Sequence, residues 1–98
     1  MIRSLTAALM LAALAAAPAA ARETAPYYHA ELAQVPAKGQ VIAGGVLWMC
    51  ESTQCFAGKG TSRPVVMCKR LAEAASPVVR FSVAGTDLSA DDLAHCNG

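Results

Sequence analysis

The sequence predicts a small α+β domain: an antiparallel sheet with one amphipathic helix and a short C-terminal helix, stapled by disulfides. Three observations carry this. Extended segments with two-residue alternation lie between Tyr27 and Ala57 and again over Val78–Ala84, separated by Gly- and Pro-containing breaks. Pro64, Met67, Cys68, Leu71 and Ala75 recur at helical spacing and form one apolar stripe. Cys50, Cys55, Cys68 and Cys96 make an even set in a short chain, the mark of a small exported domain.

The N-terminus stands apart from the fold. Arg3 supplies a positive start, Leu5–Ala17 is a charge-free run of mostly Ala and Leu, and Pro18 precedes the small residues Ala19-Ala20-Ala21. This is the pattern of a secretory signal peptide over residues 1–21, and the apolar run is too short to span a membrane. No cysteine follows the small-residue site, so no lipid anchor is expected. Residues 22–98 are then a single small domain with a periplasmic or secreted destination.

Composition narrows the partners. The 55% hydrophobic content is inflated by the leader, and loss of Arg3 leaves basic and acidic residues in balance. A neutral domain gives no support for nucleic acid or a charged membrane surface as partner. A domain this small buries only about 60% of its unfolded surface and is marginal without staples.

The elements follow in order. Tyr27–Gln34 reads as a strand with Tyr28, Ala30 and Leu32 inward and His29 and Glu31 outward. Pro36-Ala37-Lys38-Gly39 is a turn, Gln40–Ala43 is extended, and Gly44-Gly45 reads as a bulge or tight crossing. Val46–Gly58 reads as a hairpin turning at Glu51–Gln54, with Trp48 and Cys50 on one face. A three- or four-stranded meander over Tyr27–Ala57 is the simplest connection. Ser62 is expected to cap a helix starting near Arg63-Pro64 and running to about Ala75. In Val78–Ala84, Val79, Phe81 and Val83 share one face. Gly85-Thr86-Asp87 turns, and Leu88 packs back. Ser89 caps a last helix over about Ala90–Cys96, with Asp91 and Asp92 in its first turn.

Four cysteines allow three pairings, and sequence alone does not choose among them. Cys50–Cys55 across the hairpin with Cys68–Cys96 between the helices is the favoured set. It explains how a C-terminal helix too short to be stable alone stays docked. On the chain-entropy model the two bridges constrain the unfolded chain by about 2 and about 3.5 kcal/mol. Redox chemistry wants a C-x-x-C pair, and the closest spacing here is C-x4-C. A zinc site built from the thiols and His95 lacks the usual paired short spacings. No metal and no cofactor are therefore expected.

The Gly58-Lys59-Gly60-Thr61-Ser62 loop departs from a phosphate loop, because Lys59 is followed by Gly60 and Thr53 stands where the first glycine belongs. The surviving idea is an anion site formed by Lys59, Ser62 and Arg63 at a helix start; the plainer reading is a solvated connection. His29 and His95 have no serine and acid spaced to suggest a triad. Trp48, Tyr27 and Tyr28 are either a recognition patch or core and sheet packing, the latter being the default.

The run Val41–Trp48, then Cys50 and Cys55, Gly58-Lys59-Gly60 with Ser62-Arg63-Pro64, Cys68, and the closing Leu93-x-x-Cys96-Asn97 resemble a family of small exported four-cysteine proteins of Caulobacter- and Sphingomonas-type alphaproteobacteria. The likeness covers about Tyr27–Asn97. It implies export and a four-cysteine scaffold, and it lends no catalytic residue. With no catalytic constellation on view, a non-enzymatic binding or interaction module is expected. The alternatives are a small enzyme or ligand-binding protein using the Gly58–Ser62 loop, and an inhibitor presenting the Glu51–Gln54 turn to an exported enzyme. Ligand, partner and oligomeric state are not legible.

Overall fold

The computed structural model describes residues 26–98; the expected signal segment lies outside them. Among these residues six strands form one antiparallel sheet: β1 (Tyr28–Leu32), β2 (Gln40–Ala43), β3 (Val46–Glu51), β4 (Gln54–Ala57), β5 (Val78–Val83) and β6 (Thr86–Asp87). Two helices, α1 (Pro64–Ala74) and α2 (Ala90–Asn97), pack on one side of it. The disulfide-stapled α+β class expected from the sequence is what forms.

The strand order is β2-β3-β4-β1-β5-β6. This corrects the meander. β1 pairs with β4 and β5 and runs through the middle of the sheet, so the chain leaves the centre after Leu32 and returns from the β2 edge. Tyr28, Ala30 and Leu32 are buried, as a central strand with one covered face requires.

Gly44-Gly45 is also corrected. It is a two-residue turn joining β2 to β3, with Ala43 opposite Val46 and both glycines at positive φ, 63° and 78°. Such turns match the twist of the strands they join, and glycine adopts them without a Cβ penalty. The second hairpin is tighter than expected. Glu51 already pairs with Gln54, so only Ser52 and Thr53 turn.

In β5 the expected alternation fails. Val78 and Phe81 are buried, whereas Val79 is 51% exposed. The register with β1 slips between Glu31 and Leu32, which face Arg80 and Val78, leaving Val79 as the extra residue of a bulge. A bulge reverses the phase of everything on one side of it, which is why a strict period of two misplaces Val79. A second short turn, Ala84-Gly85, adds β6, a strand not expected from the sequence.

The core is an aromatic cluster over helix stripes. Trp48 is fully buried, stacks on Tyr28 at 5.6 Å and leans on Phe81 at 5.9 Å between centroids. Its indole N–H donates to the Ala43 carbonyl at 3.1 Å, which satisfies the polar end of a buried ring. Met67, Cys68 and Leu71 bring the α1 stripe onto this cluster. The expected Ser62 cap does not form. Arg63 is the N-cap and makes no side-chain capping bond. A residue before proline is pushed out of the helical region, so the helix boundary falls at Pro64 and the cap position at Arg63. In α2 the cap is as expected: the Asp92 N–H donates to the Ser89 hydroxyl at 3.1 Å.

Candidate functional site: the open face of the sheet

Both helices lie on one face, so the side chains of opposite parity stand on a face that no described element covers. The register sorts them into rows. Gln40, Met49, Phe56, His29, Ser82 and Asp87 align across all six strands. Beside that row Ile42 sits opposite Leu47. On the other side Glu51, Gln54, Glu31 and Arg80 form a polar row. One half of the face is therefore apolar and the other half charged or amide-bearing.

The apolar half is well ordered. Phe56 stacks on His29, ring centroids 4.6 Å apart and planes within 9°. The His29 Nε2–H donates to the Gln54 carboxamide oxygen at 2.6 Å, which fixes the imidazole against the phenyl ring. Ile42, Leu47 and Met49 are 78%, 47% and 49% exposed. Contiguous apolar side chains at such exposure are uncommon on a small monomer and mark interaction surfaces. Two shallow grooves flank Phe56. One is lined by Tyr27, Leu47, Met49, Phe56 and Lys59, the other by Tyr27, His29, Phe56, Ser82 and Ala84. Ala84 borders the second groove with φ at 50°, a left-handed conformation unusual for a residue with a Cβ.

The recognition-patch reading is divided by the fold. Trp48 and Tyr28 are core residues, and only Tyr27 reaches the open side, its ring under the Lys59 ammonium at 5.5 Å. The Gly58–Ser62 loop is held from within. The Gly60 N–H donates to the Tyr28 hydroxyl at 3.2 Å, and a Cβ on Gly60 would lie 2.8 Å from the Met67 methyl. Ser62 and Arg63 are exposed, and the groove beside Lys59 is lined by neither. Among the described residues no group of three or more His, Cys, Asp or Glu is gathered for a metal, and no helix is long and apolar enough to cross a membrane.

The four cysteines form Cys50–Cys55 and Cys68–Cys96, the favoured pairing. The first bridge joins β3 to β4 beside the turn. The second ties α2 to α1 within the core, where Cys68 and Cys96 are 0% and 2% exposed.

What the sequence missed is the bare face itself. Period two says which residues share a side of a strand. It does not say which strands lie adjacent, and only adjacency turns Met49, Phe56 and His29 into one surface.

Fold and surface together define a class: a disulfide-stapled α+β domain with one helix-covered and one open sheet face. Residues 8–98 match the model of a family of unknown function, DUF8200, and the chain belongs to that family. No curated protein and no solved structure matches it.

Proposed function

We propose that this chain is an exported, non-enzymatic interaction module that docks a protein partner on the open face of its sheet. The observation that carries the reading is the contiguous apolar patch of Ile42, Leu47, Met49 and Phe56, from two adjacent rows, on a face with no described helix over it. A protein is the favoured occupant because the surface is broad and shallow. Small-molecule sites are usually concave and bury most of their ligand. Interface centres are rich in aromatic residues and Met with few charges, which is the composition of this half of the face. Two disulfides in so small a domain, together with the resemblance to exported alphaproteobacterial proteins, support a periplasmic or secreted destination.

The test is site-specific photo-crosslinking in the native envelope, with p-benzoylphenylalanine in place of Phe56. One partner protein captured in defined stoichiometry is the expected result, lost when Met49→Asp places a charge in the row. Absence of a crosslink, or a crosslink indifferent to Met49→Asp, overturns the reading.

A further inference from the structure

A six-stranded open sheet has two edges, and here they differ. The β6 edge is two residues long, and its Asp87 is engaged by Arg80 at 3.3 Å. Short, charged edges resist further pairing. The β2 edge carries Gln40-Val41-Ile42-Ala43, with no charge, proline or bulge inside it.

The backbone phase of β2 is set by the Cys50 N–H, which donates to the Gly39 carbonyl at 2.7 Å. Hydrogen-bonded pairs alternate with non-bonded ones along an antiparallel ladder. Val41 and Ala43 therefore bond inward to Trp48 and Val46, and Gln40 and Ile42 point their N–H and C=O groups away from the sheet. Those groups face an open groove of about 360 Å³ lined by Pro36, Lys38, Gln40, Ile42, Ala74 and Ala75. Ile42, at 78%, is the most exposed large apolar side chain described.

We infer that β2 is the edge through which two copies of this chain pair, antiparallel about a two-fold axis at Val41. The strand is self-complementary in that register. Gln40 falls opposite Ile42 of the other copy and Ile42 opposite its Gln40, so both outward-facing residues enter hydrogen-bonded pairs. An isologous contact of this kind closes on itself and does not propagate into fibres. Charge agrees with it. The strand is neutral, and Lys38 falls opposite Gly44 of the other copy instead of a second lysine. On the open side the Ile42–Leu47 row of each copy then continues through Gln40 of the other copy into its Met49 and Phe56.

This pairing uses the backbone of β2, whereas the open-face reading is tested at the side chains of Met49 and Phe56, outside β2, so one can fail without the other. Sedimentation equilibrium on the oxidised protein is expected to show a concentration-dependent monomer–dimer equilibrium. Gln40→Lys with Ile42→Lys sets like charges opposite each other at both cross pairs and raises the dimer dissociation constant by about tenfold or more. Gln40→Glu with Ile42→Lys sets unlike charges there and restores dimerisation. Met49→Asp leaves the dimer intact. A wild-type monomer at every concentration overturns the inference, including the case in which it instead binds a heterologous extended peptide. A dimer blind to both charge patterns also overturns it.

Discussion

Asn97 bonds the backbone of Val78 as a neighbouring strand would. The Val78 N–H donates to the Asn97 carboxamide oxygen at 2.8 Å, and the Asn97 amide donates to the Val78 carbonyl at 2.7 Å. A side chain at the end of α2 thus supplies both bonds that the first residue of β5 needs beside the bulge at Val79. With Cys96 next to it in the chain, Asn97 makes the C-terminal helix part of the sheet's own hydrogen bonding.

Replacing Asn97 by Ala is expected to lower stability by about 1–3 kcal/mol, because a backbone donor and acceptor lose their partner together. Asn97→Asp keeps the acceptor and loses the donor, so it falls between Ala and wild type at neutral pH. Urea unfolding followed by circular dichroism measures both.

The two disulfides are unequal. Cys68–Cys96 closes 28 residues of separation and Cys50–Cys55 closes 5. On the loop-entropy model, Cys68→Ser with Cys96→Ser costs about 3.5 kcal/mol and Cys50→Ser with Cys55→Ser about 2 kcal/mol. The first pair also releases α2, so amide hydrogen exchange over Ala90–Asn97 is expected to accelerate in that variant and stay protected in the other.

Met67 reaches between two glycines. A Cβ on Gly44 would stand 2.7 Å from its methyl carbon, and one on Gly60 2.8 Å from the same atom. Gly44 and Gly45 both have positive φ, but nothing lies within 4 Å of a Cβ on Gly45. Gly45→Ala is therefore expected to cost only the left-handed backbone term, about 1–2 kcal/mol. Gly44→Ala costs that plus the displacement of Met67. Met67→Ala in the Gly44→Ala background recovers the excess, a coupling that a double-mutant cycle reads directly.

Ala84 is the converse case. At φ 50° its Cβ is strained. Ala84→Gly removes about 1–2 kcal/mol of strain and adds about 0.5–1 kcal/mol of unfolded-chain entropy. A net gain of roughly 0.5–1 kcal/mol is expected, seen as a raised urea midpoint with an unchanged slope.

Much of this was legible residue by residue. The inward set Tyr28, Ala30 and Leu32, the stripe Met67, Cys68 and Leu71, and the Ser89 cap rest on local periodicity or short geometry, whereas the cysteine pairing is one favoured set of three that only the fold selects. Gly44-Gly45 was misread although its signal was present, since two glycines between β-prone runs are a hairpin turn as readily as a bulge. Val79 was misplaced for another reason. Its bulge exists only against β1, some fifty positions earlier in the chain, and no window of sequence contains both. Lys59, Ser62 and Arg63 are neighbours in the chain, yet the groove beside Lys59 includes neither of the other two.

The sequence by itself determined which side of β1, β3 and the two helices turns inward, and that four cysteines stand ready to staple them. Those properties follow from the periods of helix and strand, which act over a few residues. The tertiary structure alone decided that β1 takes the centre of the sheet, that both helices take the same face, and that Met49, Phe56 and His29 are left together on the other. Those outcomes come from competition among distant strands for the same backbone edges, and its result is a property of the whole chain.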